Sequence, residues 1–117
     1  AYNTASWTSL ASVVFLEQPA GVGFSHTTDS SNYLVNDDLH SNDYKAARDS
    51  LATIRAFFKR FPERKTNKMY LASESYGGHY IPQLTLLLLE DEELSAHFEG
   101  FLVGNPYTRY CISDVSG

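Results

Sequence analysis

A short polar corner between two apolar runs is the feature that most limits how this chain can fold. The β-prone run Lys68-Met69-Tyr70-Leu71 leads into Ala72-Ser73-Glu74-Ser75-Tyr76-Gly77-Gly78, and an apolar helical pattern follows at once. A serine at a strand-to-helix corner, with glycine two residues on, has the layout of a nucleophile elbow. The tight turn pushes Ser75 out over the C-terminal edge of the sheet, where a base can reach its Oγ. Small residues at Ser73 and Gly77 let the arms of the turn approach without Cβ clashes. The helix that starts there aims backbone N–H groups and the positive end of its dipole at the place where an oxyanion would form. Ser73 stands where the usual pattern has glycine, so on the short pattern alone an ordinary surface turn remains the alternative.

The flanking sequence supplies the context. Leu10 to Glu17 is a β-branched and aromatic run of the kind expected for a strand buried on both faces, ending at Pro19 and the Gly21-Val22-Gly23 loop. His26 to Asn36 is rich in Ser, Thr, Asn and Asp, a loop composition. Ser41, Asn42 or Asp43 then offers a side chain to cap a helix. Tyr44, Ala47, Leu51, Ile54, Phe58 and Phe61 recur at intervals of three or four and predict one apolar stripe, opposite Lys45, Arg48, Arg55 and Lys59, with Pro62 as the stop. A strand over Lys68 to Ala72, a helix buried around most of its circumference over Gly78 to Leu89, and a strand over Glu99 to Val103 complete a β-α-β-α-β order. Such an order predicts the α/β class, with adjacent parallel strands flanked by helices.

The longer string Ser73-Glu74-Ser75-Tyr76-Gly77-Gly78-His79-Tyr80-Ile81-Pro82-Gln83-Leu84 resembles the nucleophile segment of the serine carboxypeptidases, acid-active α/β-hydrolases that trim C-terminal residues. Further stretches are similar to the same family and occur in the family's order. They are Val14-Phe15-Leu16-Glu17-Gln18-Pro19-Ala20-Gly21-Val22-Gly23-Phe24-Ser25, then Ala47-Arg48-Asp49 with Phe57-Phe58-Lys59-Arg60-Phe61-Pro62-Glu63, then Leu102-Val103-Gly104-Asn105-Pro106. The resemblance implies that residues 1–108 are a piece of a longer catalytic domain with a mainly parallel sheet. Residues 109–117 show no clear period, do not look like the family's continuation, and are read as a divergent tail to which no role is assigned.

Composition removes several function classes. The 117 residues are 43% hydrophobic and 14% aromatic, as in a globular core, with a formal net charge of −5. Acidic residues group at Glu90-Asp91-Glu92-Glu93, and no basic face is available to neutralise phosphates, which argues against a nucleic-acid partner. The longest apolar stretch, Leu84 to Leu89, is broken by Thr85 and is far too short for a membrane span. Cys111 is the sole cysteine, so no disulfide forms within these residues. Gly21-Val22-Gly23 lacks the third glycine and the Lys-Ser/Thr of nucleotide loops and reads as a turn, placed by the resemblance near the active-site rim.

Serine attacks only when a base removes its proton, and in this fold the partners follow it in the order Ser, acid, His. His97 is the only histidine after the elbow helix, and Asp91 lies too early and too near it to be the distant acid. His79 sits one turn along the elbow helix, where packing or hydrogen bonding is the expected role. The catalytic Asp and His are therefore expected outside these residues. By resemblance, Ser75 is the nucleophile and the Tyr76 N–H an oxyanion donor. The resemblance also implies that Glu74 helps bind the substrate's C-terminal carboxylate, sharing protons with it and with a second glutamate from outside these residues, an arrangement that works best in acid. The same resemblance implies a peptide or protein substrate with a free C-terminus, no metal or cofactor, and a lysosomal, vacuolar or secreted location. An acyltransferase or esterase, or a non-catalytic relative of the fold, stands as the alternative.

Overall fold

The structure, a computed structural model, describes residues 3–26 and 42–108. The proposed tail at 109–117 and the polar loop after His26 lie outside the described residues. Within them the chain runs through a short 3-10 turn (Trp7–Ser9), helix α1 (Asp43–Arg60), a second 3-10 turn (Pro62–Thr66), strand β1 (Met69–Glu74), helix α2 (Gly77–Glu90) and strand β2 (Phe98–Gly104).

Helix α1 begins where a cap was expected. Asn42 has extended backbone and its Oδ1 accepts the Lys45 N–H at 2.9 Å, meeting one of the unpaired donors of the first turn. The helix ends at Arg60, with Phe61 as the cap and Pro62 opening the next turn. Lys59 and Arg60 sit at the negative end of its dipole. Its buried face is Ala46, Ala47, Ser50, Leu51 and Phe58, rotated slightly from the predicted stripe: Tyr44 is 76% exposed and Phe61 39%. Both lie at the ends of the helix.

Strands β1 and β2 pair in parallel through Tyr70↔Gly100, Leu71↔Phe101, Ala72↔Leu102, Ser73↔Val103 and Glu74↔Gly104, with an irregularity between Met69 and Tyr70. Helix α2 connects them and packs on both strands and on α1. One core results, built from Ala47, Leu51 and Phe58 of α1, Leu84 and Leu88 of α2, and Leu94 from the turn before β2, with Met69, Leu71 and Phe98 packed against it from the sheet. Helix α2 is less enclosed than its composition predicts, for Leu86 and Leu89 face outward.

Asp91 makes the turn from α2 into β2. Its Oδ1 accepts the N–H groups of Glu93 (3.0 Å) and Leu94 (2.8 Å), and its Oδ2 takes the Arg55 guanidinium of α1 at 2.7 Å. The Leu94 N–H above all, against the opposing effect of burial and with Arg55 and the Glu93 N–H adding to it, holds this carboxyl below its ordinary pKa.

The predicted first strand is the main correction. Leu10 to Glu17 forms no strand, and Leu10, Val14 and Phe15 are exposed. β-Branched and aromatic residues give a segment strand propensity, but a strand exists only when a neighbour completes its ladder. No described residue does so here. The loop that follows folds back on itself: the Phe24 N–H donates to the Glu17 carboxylate, and Gln18 accepts from Ser50 Oγ of α1 at 3.2 Å. The Val22 N–H donates to the Pro19 carbonyl at 3.2 Å and the Ser25 N–H to the Val22 carbonyl at 3.0 Å, so the Gly21-Val22-Gly23 segment is a pair of tight turns. No helix among the described residues is long and apolar enough to cross a membrane.

Candidate active site

Ser75 stands between the end of β1 and the start of α2 with φ of 54°, a left-handed conformation that costs a residue with a Cβ about 1–2 kcal/mol. Three backbone hydrogen bonds hold it there. Its N–H donates to the Gly104 carbonyl at 3.0 Å, and its carbonyl accepts from the N–H groups of Gly78 at 3.0 Å and Tyr107 at 2.8 Å. Strand β2 therefore braces the corner from the side. Asn105, also left-handed at φ 41°, bends the chain after β2 so that Tyr107 returns to Ser75. Asparagine tolerates that region better than most residues.

Close approach explains the glycines. A Cβ on Gly77 would lie 2.3 Å from Ser73 Oγ, so the two arms touch as the spacing predicts, even with serine in place of the usual glycine. A Cβ on Gly78 would lie 2.3 Å from the Tyr107 carbonyl oxygen, a constraint from the chain leaving β2 that the elbow pattern does not contain. Both positions are closed to larger residues.

The three residues singled out from the sequence converge at this corner. Ser75 is exposed, and Glu74, the last residue of β1, is exposed beside it and pairs with Gly104. Tyr76 is the residue from which α2 springs (φ −63°, ψ −9°), so its peptide belongs to the positive end of the helix. Its ring stacks on Tyr107 (6.1 Å between centroids, 18° between planes) and touches His79 at 4.7 Å and Tyr80 at 5.0 Å.

His79 and His97 both lie against aromatic rings. His79 is half-buried, with its ring beside Tyr76 and 5.4 Å from that of Tyr107. His97 lies against Phe58 at 6.2 Å, and its carbonyl accepts the Met69 N–H at 2.7 Å. Among the described residues no histidine is hydrogen-bonded to Ser75, and no group of three or more His, Cys, Asp or Glu is placed to hold a metal ion. A cleft of about 210 Å³ between the Leu16–Ala20 segment and α1, lined by Glu17, Lys45 and Asp49 among others, is separate from the elbow residues.

Reading the sequence missed the brace formed by Gly104, Asn105 and Tyr107. Its signal was present in Gly104-Asn105-Pro106, where asparagine before proline marks a turn. The contact of Asp43 with Tyr76, described below, had no local signal at all.

A parallel strand, a left-handed serine and a helix that begins on paired glycines define the elbow of an α/β-hydrolase. The chain belongs to the serine carboxypeptidase family, whose pattern it matches over residues 1–115. It is 42% identical to serine carboxypeptidase-like 26 of Arabidopsis thaliana across 89% of its length and 41% identical to the lysosomal protective protein of Mus musculus across 98%. Similarity extends to a pheromone-processing carboxypeptidase of the yeast Ogataea parapolymorpha, at 38% identity over 97% of the chain. The chain spans 22%, 22% and 17% of the length of these relatives.

Proposed function

We propose that the protein to which these residues belong is a serine-type carboxypeptidase, with residues 1–108 part of its catalytic domain and Ser75 its nucleophile. The observation that carries the reading is the left-handed φ of 54° at Ser75, fixed by β2 at a strand-to-helix corner. Such a conformation is costly and is kept where the surroundings over-determine it, as at reacting groups.

In this reading Ser75 Oγ attacks the carbonyl carbon of the last peptide bond while a histidine from outside these residues takes its proton. The oxyanion is met by the Tyr76 N–H and a second donor, also from elsewhere in the protein. Loss of one such donor costs about 3–4 kcal/mol of transition-state stabilisation. Collapse of the tetrahedral species breaks the C–N bond, and the histidine returns its proton to the leaving amine. Water then attacks the acyl-enzyme ester and regenerates Ser75. Glu74, exposed beside the nucleophile, takes part in binding the carboxylate of the departing residue. The name of the yeast relative, a pheromone-processing carboxypeptidase, supports a peptide substrate with a free C-terminus, and that of the mouse relative supports a lysosomal compartment.

Full-length protein incubated with a peptide and with its C-terminally amidated twin tests this by mass spectrometry. The free acid should lose residues one at a time from its C-terminus, the amide should be spared, and Ser75→Ala should abolish the loss. Cleavage of simple esters with both peptides left intact would overturn the peptidase reading in favour of an esterase.

A further inference from the structure

The phenol of Tyr76 reaches a residue 33 positions earlier in the chain. Its O–H donates to the Asp43 carboxylate, with Oδ2 at 3.2 Å and Oδ1 at 3.5 Å. Asp43 is the first residue of α1, but the capping of that helix is done by Asn42, so the Asp43 carboxylate is turned to another partner. Tyr107 of the β2 exit and His79 and Tyr80 of α2 fix the body of the same ring. The ring's faces are thus held by α2 and the β2 exit, and its tip by α1.

We propose that Asp43 is a positioning residue for the elbow: its carboxylate locks the Tyr76 side chain, and so holds the oxyanion N–H beside Ser75 in one arrangement. Ring and N–H share one Cα, so a side chain confined to one rotamer also restrains the peptide beside it. A carboxylate acceptor strengthens a phenol O–H bond, though at 3.2 Å this one is longer than the shortest such pairs and gains less. The proposal rests on Ser75 being the nucleophile.

The test is the second-order rate at which a fluorophosphonate phosphonylates Ser75 in the full-length protein. Tyr76→Phe and Asp43→Ala should each slow it about five- to tenfold, the size of one lost charge-assisted bond at a half-exposed site. The double variant should be no slower than either single one. Asp43→Asn, whose amide oxygen still accepts the phenol, should recover much of the rate, whereas a merely helix-stabilising acid would show no such coupling to the Tyr76 hydroxyl. Should Asp43→Ala not fold, Asp43→Asn placed in the Tyr76→Phe background decides, and it should change nothing further. Additive losses, or a full wild-type rate in Tyr76→Phe, would overturn the role of Asp43 and leave Ser75 as the nucleophile. Wild-type protein that is never labelled at Ser75 would overturn the site reading, and this proposal with it.

Discussion

The backbone N–H of Ser75 donates to the carbonyl of Gly104 at 3.0 Å, so the candidate nucleophile is held by the last residue of the neighbouring strand. The corner depends on β2 as much as on its own turn. The chain leaves β2 through the left-handed Asn105 and returns to Ser75 at Tyr107, where the N–H···O distance is 2.8 Å.

Asn105 is therefore expected to accept glycine and to reject a β-branched residue. Asn105→Val should destabilise the full-length protein by about 1–2 kcal/mol, because valine resists positive φ. It should also slow labelling of Ser75, whereas Asn105→Gly should do neither. Thermal unfolding and probe kinetics on the pair check this, and equal behaviour would remove the brace from the account.

Gly77→Ala places a methyl group 2.3 Å from Ser73 Oγ, and overpacking of this kind costs about 1–3 kcal/mol. Ser73→Gly removes the obstructing side chain. The double variant should accordingly recover most of the stability that Gly77→Ala loses, as read from denaturant midpoints. Without recovery, the contact between the arms is not what excludes a side chain at Gly77.

The local features of this fold were legible because their causes are local. Asn42 caps, Pro62 stops, and the three-four spacing of Ala47, Leu51 and Phe58 marks the face that packs on α2. The elbow was legible for the same reason, since the needs of Ser75 and Gly77 fall within five residues. Leu10 to Glu17 misled because strand formation depends on a neighbour that propensity does not specify. Leu86 and Leu89 misled in the same way: apolar composition does not say which side of α2 finds a partner. The Asp43–Tyr76 bond joins residues on two different elements, and nothing in the sequence near either one announces it.

Asp91 gives a pH dependence with a defined sign. Its carboxyl is held below the ordinary carboxylate range, so the native state binds that proton more weakly than the unfolded chain. The stabilisation is complete above the unfolded value near pH 4 and is lost as pH falls through the lower native value. Asp91→Asn should cost about 1–2 kcal/mol at pH 6 to 7. The gap from wild type should close below about pH 4, as followed by unfolding at a series of pH values. A gap that does not vary with pH would contradict it.

For Glu74 the expected result is selective. Glu74→Gln should raise KM for peptides with a free C-terminus and leave esters or amide-capped peptides much less affected. Matched steady-state kinetics on the two substrate types measure it. Equal losses on both would reduce Glu74 to a support for the corner.

Labelling of the full-length protein with a fluorophosphonate, followed by mass spectrometry of its peptides, tests the identity of the nucleophile most directly. A single phosphonyl group on Ser75, absent from the Ser75→Ala variant, is the predicted result. Labelling of a different residue, or undiminished labelling and peptide hydrolysis in Ser75→Ala, would contradict the account.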